Sequence, residues 1–198
     1  MSRDPSATKA SLLAAARVEF AAHGAAGARV DRIAERAGVS KERIYGYFGS
    51  KGKLFDAVLD EVLDEVMEFV GAPGKDIGEY VRRVHDFHRE RPDLVRLLVW
   101  EGMQGGGSCP NRQSRVEHYV RKNRAMADAI GLDSAEEAAP YLFMFMALCS
   151  WPVVVPQIAR LVLGEEVDTD EGRERLKHHI GDFAEAAIGH VREQQSRV

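Results

Sequence analysis

A chain of 198 residues, 45% of them hydrophobic, is long enough to bury a substantial core and to hold one large domain or two small ones. Two cysteines, Cys109 and Cys149, have neither the number nor the spacing of a metal knuckle or disulfide framework and read as isolated thiols. The formal net charge of −4 excludes a uniformly basic polyanion binder, but residues 1–53 carry ten Lys/Arg against five Asp/Glu and the remainder seventeen against twenty-six, so a basic module is joined to an acidic body.

Nearly every segment has helical periodicity. Thr8 reads as the N-cap of a first helix in which Leu13, Ala16 and Phe20 share a face, and Gly24 stops it. A short helix over Val30–Ala37 follows, then a turn at Gly38-Val39 and a third helix capped by Ser40 and running to Phe48. Ser50 caps a fourth helix over Lys51–Val70, whose wide stripe of Leu54, Val58, Val62 and Val66 suits a connector buried along its length. Gly71–Gly74 breaks the chain. Beyond it the pattern predicts helices at about Ile77–Glu90, Pro92–Met103, Arg112–Ile130, Ser134–Cys149, Pro156–Leu163 and Glu171–Glu193. Residues 105–110 read as a loop without the Lys-Ser/Thr ending of a phosphate loop. The expected fold is all-α: an N-terminal three-helix helix-turn-helix domain over 1–53, then a larger helical bundle over 54–198 that dimerises, with 51–70 as connector.

The longest apolar stretch, Tyr141 to Pro156, is interrupted by Ser150 and Pro152 and reads as too short to span a bilayer. The N-terminus shows no cationic start followed by an apolar core and a cleavage site. A cytoplasmic protein with no membrane partner is expected.

Residues 30–48 place two amphipathic helices around Ala37-Gly38-Val39, where glycine relieves the reversal and valine plugs the angle. In such a helix-turn-helix the second helix enters the DNA major groove. Ile44 and Phe48 point inward at i, i+4, leaving Lys41, Glu42, Arg43, Tyr45 and Tyr47 outward. Arg43 can donate two hydrogen bonds to a guanine edge and Glu42 can accept from a cytosine amino group. The tyrosines offer hydroxyls to phosphates and rings to sugars, while Lys41 and Lys51 neutralise phosphates. Gly46 costs about 1 kcal/mol in a helix relative to Ala. It either lets the backbone approach DNA or makes room for a neighbouring side chain.

The run Arg32-Ile33-Ala34-Glu35-Arg36-Ala37-Gly38-Val39-Ser40-Lys41, followed by Ile44-Tyr45-Gly46-Tyr47-Phe48-Gly49-Ser50-Lys51-Gly52-Lys53-Leu54, resembles the signature of the TetR family of transcriptional regulators. Thr8, Leu12-Leu13, Ala15-Ala16, Phe20 and Gly24 extend that resemblance over residues 8–60. It implies base or groove contacts from Lys41, Glu42, Arg43 and Tyr45, and phosphate contacts from Tyr47 and Lys51. Where family members place threonines before the second helix, this chain has Ala28 and Arg29. Arg29 can replace a phosphate contact by charge, but the helix cap is weakened, typically by ~1 kcal/mol. Arg43 stands where a small residue is frequent, which favours a guanine.

In the body, the segment from His88 to Glu101 resembles the fifth-to-sixth helix junction of the family, with Pro92 suited to a first helical turn. The family's last two long helices form a four-helix bundle across a homodimer. The resemblance assigns that role to Tyr141, Leu142, Phe145, Ala147 and Leu148 with Ile180, Phe183, Ala184, Ala187 and Val191. Candidate lining for a small hydrophobic or aromatic effector is Phe69, Tyr80, Phe87, His88, Trp100, Met103, Tyr119, Met126, Met144 and Trp151, although such stripes are more often plain core. His85 and His88 have a spacing compatible with metal, but no cysteine or repeated carboxylate set accompanies them, and they read as partly buried histidines. His178-His179 points two ways on a helix.

The expected function is a repressor that binds a palindromic operator as a homodimer and is released by a small molecule, with no cofactor or metal. A regulator controlled by a partner protein, or an activator without a ligand, remains open. A helical-bundle enzyme would need a nucleophile–base pair or a repeated Glu-x-x-His set, and the sequence offers neither.

Overall fold

The computed structural model describes residues 4–105 and 112–195. Among these the chain forms α1 (Pro5–Gly27), α2 (Val30–Ala37), α3 (Lys41–Phe48), α4 (Lys51–Val70), α5 (Ile77–Glu90), α6 (Pro92–Gly105), α7 (Arg112–Ile130), α8 (Ala135–Val154), α9 (Pro156–Leu163) and α10 (Asp170–Gln195), with a 3-10 turn at Glu165–Asp168 and no strand. Residues 106–111, which include Cys109 and most of the expected glycine-rich loop, lie outside the described residues.

Two compact units result, and they do not follow chain order. The first takes the described residues up to Glu65 together with α6; the second takes Val66–Arg91 and the helices from α7 onward.

In the first unit α1 starts earlier than its sequence pattern suggests. Asp4, not Thr8, is the N-cap, its carboxylate accepting from the Ser6 N–H at 3.0 Å ahead of Pro5 in the first turn. Thr8 is buried and donates its hydroxyl to the Asp4 carbonyl at 3.0 Å. The helix breaks at Gly24 (φ 67°), as expected. Leu12, Ala16 and Phe20 are fully buried, with the Phe20 ring edge-on to Phe55 of α4 at 5.1 Å. Buried Arg17 bonds Glu65 of α4 (2.6 Å) and Asp93 of α6. The indole N–H of Trp100 in α6 donates to the Ala21 carbonyl at 3.3 Å.

The second unit is built on α5, packed against α8 and α10. Gly78 permits the close crossing, since a Cβ there would lie 3.1 Å from the Gly181 carbonyl. The start of α5 is capped by Asp76, which accepts from the Glu79 N–H, and by Glu185 of α10, which accepts from the Gly78 N–H.

α8 differs from its predicted bounds. It runs 20 residues through both Pro140 and Pro152, each of which removes one backbone N–H donor from the helix. It is thereby long and apolar enough to cross a membrane by length and composition, against the sequence expectation of too short a span.

Candidate functional site

The α2–α3 corner is closed by backbone hydrogen bonds. Gly38 sits in the left-handed region (φ 65°, ψ 40°), and the N–H groups of Gly38 and Val39 bond the carbonyls of Glu35 and Ala34 at 3.1 and 3.0 Å. The Ser40 hydroxyl then accepts from the Arg43 N–H and starts α3. Ile44 and Phe48 are buried, as their spacing predicts, and Lys41, Glu42, Arg43, Tyr45 and Gly46 are exposed.

Those side chains are not equally free. Lys41 Nζ is 2.5 Å from Asp31 of α2, which holds its ammonium above the usual lysine range. Glu42 accepts from its own backbone N–H and from Ser40, and its carboxyl is held below the usual range. The Tyr47 hydroxyl, half-buried, donates to the Pro5 carbonyl at 3.3 Å. Lys51 donates to the carbonyls of Ala26 and Ala28, both at 3.2 Å, so it caps the end of α1. The Arg43 guanidinium is exposed, and among the described residues no ion pair to it is present. Around Gly46 nothing lies within 4 Å of where a Cβ would stand. No neighbouring side chain therefore demands glycine there.

Sequence reasoning missed Glu19. The weakened cap expected at Arg29 is offset by this buried carboxylate, which accepts from the Arg29 N–H at 3.0 Å and lies 3.7 Å from Arg32. A charge at a core position of the first helix, beside Phe20, was the available signal. The Arg29 side chain itself is 63% exposed, 3.8 Å from Asp31.

The ten effector candidates divide between the units. Trp100 and exposed Met103 lie on α6 in the first. In the second, Tyr80, Phe87, His88 and Met126 are buried; the Phe87 ring lies 5.3 Å from that of Phe69 and 6.4 Å from that of His88. Tyr119 is half-buried beside His118, and Phe69, Met144 and Trp151 are exposed. Trp151 borders an apolar groove of about 230 Å³ with Leu148, Ile158, Val162 and Ile180. Buried Arg115, His118 and Lys122 of α7 join His85 and His88 of α5 in the unit, and the sequence reading had passed over the α7 residues. Among the described residues no metal-binding group of three is present.

Burial pushes both histidines of α5 down, His88 to about 4. Below pH 6.5 the unfolded chain takes up protons that the folded chain refuses, so stability falls with pH. The His88 contribution reaches about 3 kcal/mol near pH 4. Urea unfolding at pH 7 and 5 is expected to show a loss of about 2 kcal/mol from His88, and His88→Phe to remove it. An unchanged pH slope would refute the assignment.

The interface candidates are also split. Leu142, Phe145, Ile180 and Ala184 are buried in the protomer's own core, whereas Tyr141, Leu148, Ala187 and Val191 are half-buried and Phe183 is 64% exposed. The outward stripe of α8 is Phe143, Met144 and Trp151 together with the expected Ala147. This places the exposed face about one residue round the helix from the expected one.

The family description "Bacterial regulatory proteins, tetR family" fits residues 12–58, and "Tetracyclin repressor-like, C-terminal domain" fits 76–195. The chain is 42% identical over 180 residues to the HTH-type transcriptional repressor SCO4008 of Streptomyces coelicolor, covering 88% of this chain and 94% of that protein. It is 38% identical over 110 residues to the HTH-type transcriptional regulator RutR of Escherichia coli, 52% of each chain. The crystal structure of the transcriptional regulator SCO4942 of S. coelicolor matches with a TM-score of 0.74 at 31% identity, over 91% of this chain and 97% of that one.

Proposed function

The chain belongs to the TetR family of transcriptional regulators and is a DNA-binding regulator rather than an enzyme, and on that premise we propose that it is a cytoplasmic repressor that binds a palindromic operator as a homodimer and is released by a small molecule. The carrying observation is the outer face of α3. Arg43 and Tyr45 are exposed, and the open backbone at Gly46 admits close approach of a groove wall. Arg43 reads a base edge, Glu42 and Tyr45 support it, and Arg29, Lys41, Tyr47 and Lys51 hold phosphates. Lys41 and Lys51 must exchange an intramolecular partner for phosphate to do so.

Residues 1–53 serve as reading head and 54–198 as effector and dimer domain. One short recognition helix gives little specificity, so two copies reading half-sites about one helical turn or more apart are required. Met144, Trp151 and Phe183 supply the dimer surface, because an apolar stripe this exposed is costly in water. That role also accounts for the apolarity of α8 without a membrane. Effector binding releases DNA only if the effector prefers the conformation whose two heads misfit the operator.

Selection of bound duplexes from a random pool is expected to return a two-fold symmetric site. The Met144→Glu, Phe183→Glu double variant is expected to be monomeric and to bind that site more weakly by about 100-fold or more, as lost bivalency requires. An asymmetric site, or a double variant that binds as tightly as the parent, contradicts the reading.

A further inference from the structure

The second unit buries cations that it does not neutralise. Lys122 of α7 is 5% exposed and His88 of α5 is 8% exposed. Among the described residues no carboxylate is paired with Lys122, and burial alone lowers its ammonium to about 8. His88 Nδ1 is buried without a hydrogen-bond partner, while the Cys149 carbonyl accepts from the ring. The charges that act on His88 are those of His85 and Lys122, both unfavourable to its protonation. Arg115 and His118 of α7 are also buried, and both have partners within the fold. Asp86, the nearby carboxylate of α5, is taken up by Lys177 of α10 and by Arg89.

The first unit shows what a structural buried cation looks like in this chain. Arg17 is as deeply buried and is met by two carboxylates. A buried ammonium without such compensation is costly, and the cost is offset when a bound anion supplies the missing charge.

We propose that Lys122 and His88 form the anion-binding end of the effector site, and that the effector is a small organic carboxylate carried on an apolar body. The inference rests on the second unit being the effector domain. The two carboxylate oxygens accept from the Lys122 ammonium and from Nδ1–H of His88, which is protonated in the complex. Phe87, Tyr80 and Met126 supply apolar packing for the body. Two donors match a carboxylate, whereas a phosphate dianion has three oxygens to satisfy. Because binding requires both cations, affinity falls about tenfold for each pH unit above about 4, where His88 must take up a proton, and about a hundredfold for each unit above about 8, where Lys122 must do so as well.

The test is calorimetric titration of the full-length protein with benzoate, 1-naphthoate and decanoate, and with the primary amide of each. At least one carboxylate is expected to bind about 30-fold tighter than its amide, the scale of charge-assisted hydrogen bonds. Lys122→Met is expected to abolish that preference and to raise Tm, since the uncompensated charge is gone. Binding of no carboxylate, equal affinity for acid and amide, or a Lys122→Met variant with unchanged preference overturns the proposal. Operator affinity measured with the same compounds separates the two readings. If neutral or cationic aromatics release the operator and carboxylates do not bind, the effector reading stands and the anion assignment falls. If a carboxylate binds through Lys122 without altering operator affinity, the anion site stands and the regulatory coupling falls.

Discussion

Arg17→Ala is expected to lower the stability of the N-terminal unit by about 3 kcal/mol. The guanidinium is 10% exposed and bridges Glu65 of α4 and Asp93 of α6, whose side chains are 31% and 29% exposed. Breaking a buried pair removes the shared counter-charge, and here two carboxylates lose it at once. Their partial exposure lets water screen them, which keeps the cost at the lower end of the range for buried pairs. Arg17→Lys is expected to recover only part of the loss, because a single ammonium cannot present the planar fork that meets two carboxylates on different helices. Guanidinium unfolding of the parent, both single variants and Arg17→Ala combined with Asp93→Ala measures the coupling. A loss below about 1 kcal/mol for Arg17→Ala would mean that the bridge is an ordinary surface contact.

Arg43→Ala is expected to weaken binding to the selected operator by about 1–3 kcal/mol for each half-site, roughly twice that for the symmetric dimer, and to relax the preference at one base pair per half-site. The side chain is exposed and has no ion-pair partner among the described residues, so Tm should not move. Uniform weakening across all sequences would instead make Arg43 a phosphate contact. Gly46→Ala is the companion variant. It should stabilise α3 by up to about 1 kcal/mol, since an added methyl meets no protein atom, yet weaken operator binding if the groove wall occupies that space. A variant both stabler and equally tight would remove Gly46 from the interface.

The contrast between Lys51 and Arg43 shows what the pattern of residue types conveys. Both were legible as cations on the reading head. Only the folded chain reveals that Lys51 already serves the carbonyl ends of α1, whereas Arg43 is exposed with no ion pair among the described residues. Glu19 was hidden for a related reason. Its partner, the Arg29 N–H, is a backbone group, and backbone donors leave no mark in the sequence.

Helix periods, the Gly38 corner and the inward spacing of Ile44 and Phe48 were determined by the sequence alone, because they depend on local sterics and on a 3.6-residue repeat. The basic charge of the first 53 residues is likewise a local property. Tertiary structure decided which face of α8 lies inward, since apolar residues surround that helix and periodicity then has no contrast to report. It also decided that α6, distant in sequence, packs with α1. And it alone buried Lys122 and His88, far apart in sequence, in the interior of one unit, where each loses its water.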